Sequence, residues 1–447
     1  AGATITNNGT QTGFGRTGTV NWVTTKKTAN FTAVSGEGYF CDTSGGAFTL
    51  TLPASPSAGD IVGLKDYIGS FSQNNLTIGR NSEPINGGTS VDPAISNAGA
   101  SIFLVYVDGT QGWLATQDDS SSLTGENFMT ATGGTITTCG NDKIHTFTGP
   151  GTFTVCSISS TAANNLVSYV VVAGGGGGGG RDAGGGGGAG GFREVKSPVT
   201  TYTASPKDGY PTPGNRITVT ATSFPITVGG GGNGGIGNPP GSRNIGSAGS
   251  NSVFSTITSA GGGFGASFGG GPYGCQTSAT RSGGSGGGGG GRTTSNDGSP
   301  TGGAIGGVGN TPPVSPSQGN PGGNAKNVCT PTADSGGGGG GATAAGTNGT
   351  APEGVAGPGG AGATTFISGS STAYSGGGGG GSAQPAIAPG GTGGGGAGAD
   401  STTDAVAGST NTGGGGGGGG EGGCTPGPSQ QGAAGGSGIV IIRYKFQ

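Results

Sequence analysis

The chain has 447 residues, of which 118 are glycine, 25 are proline and 8% are charged. Glycine at about a quarter of the chain, against a usual share of about 7%, excludes a conventional helical protein, because each glycine in a helix interior costs about 1 kcal/mol. The 17 basic and 20 acidic residues give a net charge of −3, and with no basic stripe nucleic acid is not an expected partner.

Residues 1–118 read as an ordinary β domain. Phe48, Leu50 and Leu52 alternate with Thr49 and Thr51, which puts the three apolar side chains on one face of a strand. Further strands are predicted at Thr19–Thr24, Asn30–Val34, Ile61–Leu64, Leu76–Gly79, Ile102–Asp108 and Trp113–Thr116. Turn chemistry separates them at Ser44-Gly45-Gly46, Pro53–Gly59, Asn86-Gly87-Gly88 and Asp108-Gly109. Many short strands at this spacing predict a β-sandwich or jelly-roll-like module. Trp22 and Trp113 are expected as core or edge aromatics.

Residues 119–127 are polar and read as a linker. The second domain, 128–447, opens with strands predicted at Gly134–Thr138, Lys143–Thr148, Thr152–Cys156 and Ser168–Val172, the second and third joined as a hairpin by Gly149-Pro150-Gly151. It closes with the strand pattern Ile439–Phe446. The apolar ends, within 128–173 and 439–447, each need a sheet partner. They are therefore expected to meet, with 174–438 inserted between them. Arg216–Val228 and Ser252–Thr258 are expected to join the same scaffold.

The insert carries glycine runs at Gly174–Gly180, Gly184–Gly188, Gly286–Gly291, Gly336–Gly341, Gly376–Gly381 and Gly413–Gly420. Unbroken runs exclude collagen, which has glycine at every third position. No side chain is present to bury, so only backbone hydrogen bonds and close contact can order such runs. Extended threefold helices of the polyproline II shape rise about 3.1 Å per residue and bond outward in three directions. Without Cβ atoms they can pack side by side and pair every buried backbone group. The fold class expected is all-β plus polyglycine II: a β-sandwich/jelly-roll-like domain, then a β scaffold with a large insert of packed polyglycine II helices.

The pattern Tyr169-Val170-Val171-Val172-Ala173 before polyglycine, with Gly436-Ser437-Gly438-Ile439-Val440-Ile441-Ile442-Arg443-Tyr444 at the close, resembles the glycine-rich domain of bacteriophage tail-fibre and adhesin proteins. Gly36-Glu37-Gly38-Tyr39-Phe40 through Thr51-Leu52-Pro53-Ala54, with Asn74-Asn75-Leu76-Thr77-Ile78, is similar to β modules of phage tail fibres. The resemblance implies a virion or extracellular setting, homo-oligomers such as trimers, and a rigid domain presenting loops to a host cell-surface receptor, a glycan or outer-membrane protein. The alternative is a subunit of a self-assembling extracellular microbial filament, joined head to tail by strand addition from Ala1–Gly15.

Chemistry for catalysis is sparse, and no enzyme activity is expected. The single histidine, His145, reads as an outward-facing strand residue. Asp60 and Asp66 lack the spacing of a calcium loop, no cysteines form a C-x-x-C pair, and no helix or Gly-Lys-Ser/Thr follows the glycines as a phosphate loop needs. Neither a cofactor nor a metal is expected. No apolar segment approaches the roughly 20 residues of a membrane span. Loop residues suited to receptor contact are Tyr210, Phe268, Tyr273, Arg181 and Arg243; Phe264 and Tyr374 read as caps of the slab edge or as further sugar-stacking rings. Cys139 and Cys156 flank the predicted hairpin, and either a disulfide or free thiols fits them. Sequons stand at Asn8, Asn30, Asn75 and Asn348, glycosylation sites where the maker has the machinery.

Overall fold

The computed structural model describes residues 20–118, 128–181, 183–236, 245–267, 278–291, 304–326, 334–350, 354–420 and 431–446. The described chain is all-β, with 3-10 turns of three or four residues as its helical elements. It divides into two compact units, residues 1–127 and 128–447.

The first unit contains β1 (Asn21–Lys27), β2 (Phe31–Thr32), β3 (Glu37–Cys41), β4 (Phe48–Thr51), β5 (Ile61–Asp66), β6 (Leu76–Gly79), β7 (Ala94–Ile95), β8 (Ser101–Asp108) and β9 (Gly112–Asp118). Two sheets form, ordered β1-β3-β5-β8-β9 and β2-β4-β6-β7. The alternation of β4 turns Phe48 and Leu50 inward, where with Leu52, Leu76 and Ile78 they meet Tyr39, Val62, Leu64, Ile102 and Leu104 of the facing sheet. Burying each such side chain contributes about 1.5–3 kcal/mol. Trp113 is fully buried in this core. Trp22 lies half-buried on the outer face, 4.9 Å from the Phe40 ring.

The sandwich departs from the jelly-roll expectation in its connections. A jelly roll is antiparallel, but β1, β3 and β5 pair in parallel, as do β2, β4 and β6. The chain crosses to the opposite sheet after each of these strands, so it winds as a two-sheet coil. The antiparallel strands β7, β8 and β9 follow at its far edge. Side-chain alternation fixes which face of a strand is buried, not which strand lies beside it.

The second unit contains β10 (Thr130–Thr132), β11 (Thr135–Cys139), β12 (Asp142–Phe147), β13 (Gly151–Ser157), β14 (Leu166–Val172), β15 (Phe192–Val195), β16 (Ile217–Thr218), β17 (Ser223–Thr227), β18 (Ser252–Phe254), β19 (Ile257–Ser259), β20 (Ala363–Thr365), β21 (Thr372–Tyr374) and β22 (Ile439–Lys445). One sheet runs β11-β12-β22-β14-β15 and another β10-β13-β17-β18-β19. β22 lies between β12 and β14, antiparallel to both, so the two ends of the insert do meet. Strands apolar on both faces belong in the middle of a covered sheet. Tyr169, Val171, Val440 and Ile442 face one core, and Val170, Val172, Ile439 and Ile441 face another.

Two expectations fail together here. β12 and β13 are not a hairpin: they belong to different sheets, and Gly149-Pro150 is a corner between them. Cys139 on β11 and Cys156 on β13 therefore also lie in different sheets, and both are free thiols. Facing sheets stand about 10 Å apart, and a disulfide needs Cα atoms within about 7 Å.

Candidate functional site

Between β14 and β22 the chain builds a lattice of threefold glycine helices. In residues 174–179 the amide donors rotate among three neighbouring runs. Gly174 and Gly177 donate to Ser250 and Ser247, Gly175 and Gly178 to Gly436 and Ala433, and Gly176 and Gly179 to Gly188 and Gly185, all at 2.8–3.0 Å. The carbonyls rotate in the same way, accepting from Gly262 and Gly265, from Gly232 and Gly235, and from Gly416 and Gly419. A partner shared by residues three apart is the signature of a helix with three residues per turn. Three donor neighbours and three acceptor neighbours make a hexagon.

The hexagon repeats. Gly184 and Gly187 donate to Gly419 and Gly416, Gly185 and Gly188 to Ala266 and Gly263, and Gly186 and Ala189 to Gly337 and Gly340. The same run accepts from Gly179, Gly288 and Gly378. Runs 286–291, 336–341, 376–381 and 413–420 likewise bond to runs on all sides. These enclosed positions coincide with the uninterrupted glycine runs of the sequence. Steric space explains the match. A Cβ on Gly187 would stand 2.0 Å from the carbonyl oxygen of Gly176, and one on Gly178 would stand 2.0 Å from that of Gly417. At the rim a Cβ on Gly230 would meet nothing within 4 Å, and rim runs carry exposed Val308, Val355, Ile387 and Val406.

Successive runs leave the scaffold and return to it. Run 174–180 departs from β14, and 184–191 comes back into β15. The near-end connectors are held to the scaffold. Phe192 N–H donates to Gln318 O at 2.8 Å, and the Ala260 amide donates to the Gln318 side chain at 2.9 Å. The hairpin β20–β21 is clamped twice: Thr365 Oγ1 donates to buried Glu194 at 2.5 Å, and Arg443 donates to the carbonyls of Phe366 and Ile367 at 3.3 Å. The far-end connectors include 383–386 and 401–403, and Arg181 and Ala183 lie at the same end. At this end Gly336 N donates to Gly381 O at 2.9 Å and Gly381 N donates to Gly184 O at 2.7 Å.

At the far face Arg181 follows run 174–180 and Ala183 precedes run 184–191. Arg181 and Ala183 adopt φ of 65° and 60°, a conformation unusual for residues with a Cβ. Asp400 anchors a neighbouring turn, its carboxylate accepting from the amides of Thr402 and Thr403 at 2.7 and 2.6 Å and from Thr402 Oγ1 at 2.9 Å. Burial pushes its pKa up, but these hydrogen bonds outweigh that and hold it below the usual carboxylate range. Tyr210 is not on this face. It packs half-buried against the scaffold core, with the Arg216 guanidinium 4.3 Å over its ring. Phe268, Tyr273, Arg243 and Asn8 lie outside the described residues. The far-face residues missed in the sequence are Gln384, Thr402 and Thr403; the signal was their place in short non-glycine breaks between runs.

His145 faces inward rather than outward. It is fully buried, with Nδ1 2.7 Å from Gly133 O, Nε2 3.3 Å from Tyr444 Oη, and its ring stacked on Tyr444. Desolvation depresses its pKa; the Gly133 hydrogen bond opposes this and Lys143 adds to it. Tyr374 is buried in the scaffold and Phe264 half-buried on a rim run. Asn30, Asn75 and Asn348 are exposed, but Asn30 Oδ1 accepts from Thr49 N at 2.8 Å and Asn348 Oδ1 from Asn324 N at 2.7 Å. Among the described residues, no three His, Cys, Asp or Glu side chains converge as metal ligands, and no helix is long and apolar enough to cross a membrane.

Residues 146–445 match the glycine-rich domain family, and the chain belongs to that family. No curated protein matches it.

Proposed function

We propose that the protein is a non-enzymatic structural and adhesive component of a phage tail fibre, acting outside the cell as a homo-oligomer. Its lattice would hold the far-face connectors against a host-surface glycan or outer-membrane protein. The observation that carries this reading is the asymmetry between the two ends of the lattice. Near-end connectors are spent on packing against strands, while the described far-end connectors 383–386 and 401–403 join lattice runs at the end away from the scaffold. Binding segments held on a rigid frame lose little conformational entropy on engagement.

Arg181, at the far end of an enclosed run, is assigned to the recognition face. The test is binding of the purified full-length protein to candidate host cells, read by fluorescence. Arg181→Glu is expected to weaken cell binding by about tenfold or more, as loss of a charged contact at an interface does, measured below the melting temperature of both proteins. Absence of binding to any host, or an Arg181→Glu variant that binds normally, would count against the adhesive reading.

A further inference from the structure

The two larger sheets of the second unit end, on one side, in a single stretch of chain. β10 is the terminal strand of one sheet and pairs with β13; β11 is the terminal strand of the other and pairs with β12. Only Gly133 and Gly134 separate them, at φ of 109° and 64°. From Thr130 to Cys139 the sequence is TATGGTITTC, without charge or proline. Thr135, Ile136, Thr137 and Thr138 are all exposed, Ile136 at 45%.

The opposite edge is treated differently. At β15 the Phe192 amide donates to Gln318 O, Gly209 N donates to Glu194 O at 2.8 Å, and Glu194 bridges to Asp208. The chain covers that edge with its own loops. β11 carries none of the devices that keep an edge strand from pairing: it has no lysine, no proline and no bulge, and among the described residues no strand covers its free edge.

Register identifies the occupant. If β11 meets a copy of itself antiparallel with Thr137 on the two-fold axis, threonine faces threonine there. Ile136 then lies opposite the partner's Thr138, and Thr135 opposite the partner's Cys139. A charged strand would find no countercharge on TITTC, whereas the strand meets itself without a like-charge clash and covers Ile136. Cross-strand threonine pairs are themselves favourable.

We propose that β11 pairs with β11 of a second copy of this chain about a two-fold axis at Thr137, joining the two sheets into one. Sedimentation of the full chain over a concentration series is expected to show a monomer–dimer equilibrium. Thr137→Lys places two ammonium groups face to face and is expected to weaken the dimer by more than about tenfold while leaving the thermal melt unchanged. In a Cys139→Ser background, Thr137→Cys is expected to cross-link under mild oxidation, and Thr138→Cys, one residue off the axis, is not. The cross-linking pair decides the register even if the lysine variant folds poorly. A monomer at the highest soluble concentration, a dimer indifferent to Thr137→Lys, or cross-linking at 138 in place of 137 would each overturn the proposal.

Discussion

Replacing one hydrogen by a methyl group has opposite consequences at two glycines of the lattice. At Gly187 the new carbon would overlap the Gly176 carbonyl, and the neighbouring runs press from every side. Nothing there is the flexible end of a side chain, so a whole run must move. Gly187→Ala is expected to destabilise the second unit by at least about 4 kcal/mol, the range of the severest core lesions, read as loss of its thermal transition. Gly230→Ala meets open space and removes freedom from the unfolded chain. It is expected to be neutral or stabilising by about 0.4–1 kcal/mol. The same reasoning explains what could be read in advance: an unbroken glycine run marks an enclosed position, because any Cβ there collides with backbone. His145 was misread because strand alternation near the corner at Gly133–Gly134 does not reveal which sheet face is covered.

His145 also gives the molecule a pH dependence. Burial depresses its folded pKa below the unfolded value of about 6.5. Above that value the ring is neutral in both states and contributes no pH dependence. As pH falls below it, the unfolded chain takes up a proton that the folded chain resists, so stability declines. The melting temperature of the second unit is expected to drop on acidification from pH 7 to pH 5. With a single histidine in the chain, a His145→Gln variant is expected to flatten that slope.

At the scale of elements, β22 holds the base together through Arg443. Its guanidinium Nε lies 2.8 Å from Asp142, with both side chains almost fully buried, and it donates to the carbonyls of Phe366 and Ile367. One side chain thus ties β12, β22 and the hairpin β20–β21. Arg443→Met would leave the Asp142 charge buried without its partner, a loss of about 3–5 kcal/mol, measurable by denaturant unfolding. Adding Asp142→Leu is expected to restore part of the loss, since the unpaired charge is then gone. The strands β14 and β22 were legible from their all-apolar sequences, which demand a central position. The pairing of β12 was not: Gly149-Pro150-Gly151 suits a hairpin or a corner equally, and only the competition for partners in the completed sheet decides between them.

At the scale of the whole chain, the shift in composition after the first domain and the matched glycine runs foretold an all-β protein with a glycine lattice. The parallel winding of the first unit and the division of connectors into near and far sets were not visible. Both depend on which distant segments become neighbours, and a local pattern carries no such information. The lattice neighbours of run 184–191 come from residues 174–179, 260–266, 285–288, 337–340, 378–381 and 413–419. The central strand β22 arrives at residue 439 to fill the gap between β12 and β14. During synthesis that gap stays open until residues 439–445 have been made and have left the ribosome. A chain that ended within the insert would lack the strand between β12 and β14 and the later glycine runs that the earlier amides need. The topology therefore ties closure of the base sheet to completion of the insert.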